Sequence, residues 1–256
     1  MAQGDRCGCM NAVSFDSLGD VLGRIWDAAT TPVPAPPQSV VLAMALAALA
    51  VVLVTPVWRI ARHVVTIAHE GAHALVATLT GRRLDAIRLH SDTSGLTVSA
   101  GRPRGFGMVA TTFAGYVGPG LVGLGAAWVL RAGYAVGLLW LLVVLLALLL
   151  LKVRNLFGLW SVLVAGAALV AVSWWLDEPT QSAVAYAVTW FLLLGAVRPV
   201  LELQAQRFRR RARQSDADQL ARLTGLPGLF WVAVFLLVTV GALALGAWWI
   251  VGPVWT

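Results

Sequence analysis

Apolar positions gather into seven long blocks, at roughly 38–57, 62–80, 106–130, 133–151, 155–176, 183–201 and 228–252. A helix needs about 20 apolar residues to cross the hydrocarbon core of a bilayer, and these blocks match that length. The pattern predicts an all-α polytopic membrane protein of about seven transmembrane helices, with residues 38–256 forming one membrane domain. The polar turn Asp177-Glu178-Pro179-Thr180-Gln181 separates the fifth and sixth blocks. Segment 81–105 departs from the pattern. Leu84–Leu89 and Leu96–Ser99 read as two short strands around the turn-forming Asp92-Thr93-Ser94-Gly95, so a small cytoplasmic β-hairpin is expected after the second helix. The third block holds Ala114-Gly115-Tyr116-Val117-Gly118-Pro119-Gly120, where small residues permit close helix packing and Pro119 introduces a kink. Ahead of the blocks lies an N-terminal segment, 1–37. Within it, 14–29 carries Phe15, Leu18, Val21, Leu22, Ile25 and Trp26 on one helical face and is expected to lie on the membrane. The Pro-rich stretch 31–37 follows as a stiff linker.

Composition agrees: 59% of residues are hydrophobic and 12% charged, against about 45–50% and about 25% in ordinary soluble domains. The net charge of +7 would suit nucleic acid, but the placement of the basic residues argues otherwise. With seven crossings, 16 of the 19 Lys and Arg residues fall on one side, leaving only Arg59, Arg62 and Arg131 opposite. The positive-inside rule makes the crowded side cytoplasmic. The chain is then expected as a multi-pass protein of the cell (inner) membrane with a cytoplasmic N-terminus. The basic run 207–213 becomes an orientation signal and a contact for anionic lipid headgroups, with no nucleic-acid partner. Cys7 and Cys9 fall in the cytoplasmic N-terminal segment, where thiols stay reduced. Met1–Thr31 has no continuous apolar core of the kind a cleavable signal peptide needs.

The chemistry-bearing motif is His69-Glu70-Gly71-Ala72-His73. On a helix, positions i and i+4 share a face, so two imidazoles can grip one metal ion. Glu70 stands beside them as a base that need not ligate. Zinc lowers the pKa of bound water to about 7, and Glu70 would take the proton of that water and pass it to the leaving amine of a cleaved peptide. With four His and three Glu in the chain, the pattern arises by chance about once in a thousand such sequences. Three ionisable groups within one apolar segment also mark function. His63, six residues before His69 on another face, is read as an interface residue.

Taken together, these stretches resemble the site-2 protease family of intramembrane zinc metallopeptidases, in particular its divergent bacterial and plant-like branch. The resemblance rests on His69-Glu70-Gly71-Ala72-His73, Leu89-His90-Ser91-Asp92-Thr93-Ser94-Gly95, Ala114-Gly115-Tyr116-Val117-Gly118-Pro119, Arg154-Asn155-Leu156-Phe157-Gly158, and Ser215-Asp216-Ala217-Asp218 with Leu220-Ala221. It covers about residues 60–250. It implies a Zn2+ cofactor and a metalloendopeptidase acting on membrane-anchored protein substrates. It also implies that Asn155 contacts substrate or metal. Typical members supply a third ligand from a Leu-Asp-Gly motif on a later helix, and this chain has no such tripeptide.

Two imidazoles need a third protein ligand. Elimination among the acidic residues leaves Asp85, Asp92, Glu202, Asp216 and Asp218. Asp216 stands in the stretch that matches the family; it is either the ligand or, with Ser215, a helix cap. The hairpin residues 84–99, with Leu96 and Val98 as test positions, are expected to hold an unwound substrate by adding a strand. His90 is open between a substrate contact and a solvated loop histidine. Two other classes compete with the peptidase: a catalytically silent, protease-like membrane scaffold or regulator, and a transporter using the polar cluster as an ion site. Glu70 argues against the scaffold, which needs no base. The absence of paired inverted halves argues against the transporter.

Overall fold

The computed structural model describes residues 17–209 and 215–252. Cys7, Cys9, Phe15, Arg210, Arg211 and Arg213 lie outside the described residues. The elements are α1 (Leu18–Thr30), α2 (Gln38–Leu53), α3 (Thr55–Leu79), β1 (Arg83–Leu89), β2 (Gly95–Ala100), α4 (Phe106–Arg131), α5 (Ala135–Leu150), α6 (Leu156–Trp175), α7 (Glu178–Phe208), α8 (Asp216–Thr224) and α9 (Gly228–Val251). All seven apolar blocks are helical. By length and composition α4, α6, α7 and α9 can cross a membrane, and a fifth span arises if α2 and α3 count as one bent unit; α5 is a shorter apolar helix. The protein is thus a largely helical, multi-pass membrane protein with one two-stranded sheet. α4 is the central helix, packed on α3, α7 and α9.

Two placements differ from the sequence expectation. The first concerns the N-terminal segment. Val33 N donates to Gly133 O at 2.8 Å, and the Arg24 guanidinium lies 4.7 Å from the centre of the Trp174 ring. At the other end of α5, Ile87 N donates to Lys152 O at 2.8 Å and Arg154 N to Ile87 O at 3.0 Å. The 16 residues of α5 separate these points by about 24 Å at 1.5 Å per residue. Residues 17–37 and the hairpin therefore sit at opposite ends of the bundle, not on the same side.

The second concerns α2 and α3, which bend by 103° at their junction instead of running as two straight crossings. Glu202 of α7 explains how the bend is held. Its carboxylate takes Arg62 at 3.2 Å, Arg198 at 2.9 Å and the Trp58 indole N–H at 3.0 Å. Arg198 also donates to Val52 O, a carbonyl freed where α2 ends. Arg62 and Arg198, expected on opposite sides, share one anion.

The hairpin is built to leave one edge open. β1 and β2 pair antiparallel, with Ile87 opposite Thr97 and Leu89 opposite Gly95. Residues 152–155 run along the other edge of β1, through the parallel bridge between Ile87 and Val153. Asn155 completes that edge with its carboxamide: Leu89 N donates to Oδ1 at 3.1 Å, and Nδ2 donates to Leu89 O at 2.6 Å. β1 is therefore paired on both sides, whereas the outer edge of β2 has no strand beside it among the described residues. The tip is an Asx turn, with Asp92 Oδ1 accepting from Ser94 N at 3.0 Å and from Ser94 Oγ at 2.6 Å. Asn155→Ala leaves both polar groups of Leu89 without their partner. The expected cost is about 2 kcal/mol, read as a lower unfolding midpoint of the solubilised protein.

Candidate metal centre

α3 begins with Pro56 in its first turn, where the missing N–H costs nothing. It buries Trp58, Val65, Ile67, Ala74 and Ala77 against the bundle. Glu70 and His73 lie on the buried side with them. His69 Nε2 and His73 Nε2 are 3.0 Å apart. His73 Nδ1 lies 2.7 Å from Thr111 O of α4. A bond from Nδ1–H to that carbonyl leaves Nε2 as the free lone pair, the arrangement in which a histidine binds a metal.

α4 reaches this face because it lacks side chains where they would collide. A Cβ at Gly115 would overlap the His73 and His69 rings, and one at Gly118 would overlap the Ala72 methyl. Tyr116 packs edge-on against His69, with centroids 5.0 Å apart, and stacks on Phe235 of α9.

The third donor comes from α8. Ser215 caps this helix: its side chain accepts from Asp218 N, while Asp218 returns a bond to Ser215 N. Asp216 is thereby free of capping, and its Oδ2 lies 3.3 Å from both His69 Nε2 and His73 Nε2. Burial pushes the Asp216 carboxyl up, but the two imidazoles beside it outweigh burial and hold the group well below the usual carboxylate range. The carboxylate form is the one a metal ligand must have. A tetrahedral zinc with bonds of 2.0–2.1 Å has ligand–ligand edges of about 3.3–3.4 Å. The observed triangle of two imidazole nitrogens and one carboxylate oxygen fits that size and that donor chemistry. The three residues form a group that could hold a metal ion.

The other acidic candidates are engaged elsewhere. Glu202 holds the α2–α3 bend, Asp218 pairs with Arg207, Asp92 closes the hairpin turn and Asp85 pairs with Arg83. Glu70 is 4% exposed and lies under β2. Its Oε2 accepts from Thr97 Oγ1 at 2.7 Å, and a Cβ at Gly95 would overlap its carboxylate. Leu96 and Val98 point the other way and are exposed. His90 is exposed too, its Nδ1 3.3 Å from Ser94 Oγ. The His63 ring packs against Phe157, with centroids 5.4 Å apart, and its Nδ1 lies 3.0 Å from Ile60 O. Asn155 spends its carboxamide on Leu89, beside the site. Sequence reasoning gave Thr97 and Gly95 no contact with Glu70 and Thr111 no role. The period-two alternation that turns Leu96 and Val98 outward places Thr97 inward, a signal available for the first; nothing local to Thr111 marked its carbonyl.

No curated protein and no solved structure matches the chain. A family model described as Peptidase M50B-like matches residues 42–246, from α2 to α9 and across every residue of the cluster. On that match the chain belongs to the Peptidase M50B-like family, a site-2 protease family.

Proposed function

We propose that the chain is a zinc-dependent intramembrane endopeptidase that cuts membrane-anchored proteins, with His69, His73 and Asp216 as metal ligands and Glu70 as general base. The observation that carries this reading is the convergence of three ligand atoms from α3 and α8 within 4.8 Å of one another, beside an otherwise unexplained carboxylate on α3. When bound, zinc supplies Lewis-acid activation of water, whose pKa falls to about 7. Glu70 takes the proton from the attacking water and delivers it to the leaving amine. Thr111 orients His73, and the burial around Glu70 restricts bulk water.

A transmembrane helix offers no free carbonyl to a protease until it unwinds, since its backbone is bonded internally. The open edge of β2 supplies the missing partners, so an unwound substrate adds there as a strand. Leu96 and Val98 flank that edge with apolar surface. Asn155 supports it indirectly by fixing β1. His90, at the exposed tip, is positioned to meet the substrate as it arrives.

We further propose six crossings: the bent α2–α3 unit, then α4, α5, α6, α7 and α9. Both termini then lie on the side opposite the hairpin. Relative to seven crossings, Arg59 and Arg62 join the hairpin side while Arg6 and Arg24 leave it, so the basic residues still divide 16 to 3. The positive-inside rule makes the hairpin side cytoplasmic and the N-terminal segment external, with the basic residues after α7 against anionic headgroups of the cell membrane.

Three outcomes follow. Asp216→Asn keeps the Ser215–Asp218 cap but removes the anionic donor, so bound zinc measured by metal analysis should fall at least about tenfold in affinity. Glu70→Gln should retain zinc and lower peptide cleavage about 100-fold to 10,000-fold; unchanged turnover contradicts the assigned base. With Cys7 and Cys9 replaced by Ser, Gly23→Cys should react with a membrane-impermeant thiol reagent on intact cells, and Ser94→Cys should not. The reverse pattern inverts the orientation.

A further inference from the structure

Two ties hold the hairpin along α3, and a third closes its root. At the tip, Thr66 Oγ1 donates to Thr93 O at 3.0 Å. At the root, Arg82 Nε donates to Ser99 Oγ at 3.1 Å. The middle tie differs in kind, because its acceptor is the carboxylate beside the metal ligands. Thr97 Oγ1 lies 2.7 Å from Glu70 Oε2 and 3.2 Å from Glu70 O. A hydroxyl has one proton, and the shorter, charge-assisted contact is the stronger. Gly95, two residues earlier on the same face of β2, has no side chain and so makes room for the carboxylate. Thr66 and Glu70 are four apart on α3 and so share a face; one face of β2 meets both the helix and its base.

We infer that Thr97 is a positioning residue for Glu70, an inference that rests on the peptidase reading. By holding Oε2, the Thr97 hydroxyl fixes the rotation of the carboxylate and leaves Oε1 to take the proton. Misplacement of a catalytic group by about 1 Å can cost about 100-fold in rate, so a carboxylate on a flexible side chain gains from a fixed anchor. The anchor also belongs to the strand whose neighbours Leu96 and Val98 face outward and whose far edge is open. Seating of the substrate strand and orientation of the base are thereby set by consecutive residues of one strand. A purely structural role for Thr97 would not link its hydroxyl to turnover, because the Thr66–Thr93 tie and the pairing of β1 with residues 152–155 also hold the hairpin in place.

The test compares Thr97→Val, which keeps the shape and loses the hydroxyl, with Thr97→Ser, which restores it. Each is purified, reconstituted in liposomes and assayed on a panel of reporter peptides with one transmembrane helix, alongside metal analysis. Thr97→Val should lower kcat about tenfold or more, hold KM within about twofold and keep wild-type zinc content, and Thr97→Ser should recover most of the rate. Wild-type turnover in Thr97→Val overturns the inference and leaves the peptidase reading standing. Equal losses in both variants, or loss of zinc, show a structural role and also overturn it. A zinc-loaded wild type that cleaves no peptide of the panel fails the peptidase reading, and the inference with it.

Discussion

The distance between α3 and α4 sets everything around the cluster of His69, His73 and Asp216. His69 and His73 occupy the face of α3 that α4 covers, and a side chain at Gly115 would stand where their rings are. With glycine there, the Thr111 carbonyl comes within bonding distance of His73, and Tyr116 reaches the His69 ring. With a second glycine at 118, the backbone of α4 closes on Ala72. In a bilayer such close approach is itself a source of cohesion, since packing replaces the hydrophobic effect between helices. One small-residue stretch therefore both joins the two helices and shapes the face that carries the two imidazoles.

Much of this was legible along the chain, in the places where local pattern determines local structure. Each apolar block became a helix because its backbone N–H and C=O groups must find partners within the segment where lipid offers none. The Asp92–Gly95 turn closed as expected because Asp92 bonds Ser94 within the loop itself. The His69/His73 spacing worked because a helix period is fixed. What escaped was direction and distance. Hydropathy records that 38–57 and 62–80 are apolar but not that the chain turns by 103° between them. The reason for that turn lies at Glu202 and Arg198, on a helix about 140 residues away in the chain. Asp216 was reachable as one of several carboxylates; only the fold aligns its oxygen with two imidazoles while Ser215 takes over the cap.

Irregular backbone beside a bilayer must find partners within the protein, and the hairpin does so unevenly. β1 is satisfied twice, by β2 and by residues 152–155, with Asn155 standing in for a strand at the end. β2 is satisfied once. The asymmetry leaves the unspent donors and acceptors on β2, the strand whose inward face sets Thr97 against Glu70.

The length of α5 has a consequence for the lipid. Its 16 residues cover about 24 Å, some 6 Å less than the hydrocarbon core of an average bilayer. Its last turn packs on α3, where Leu149 lies against Gly71. A short span draws the headgroups toward it, because thinning the bilayer costs less than exposing polar backbone to the lipid tails. In the proposed six-crossing arrangement the bilayer thins around α5, next to α3 where Leu149 meets Gly71. A neighbouring transmembrane helix that enters the thinned ring loses part of its hydrocarbon sheath before it touches the protein.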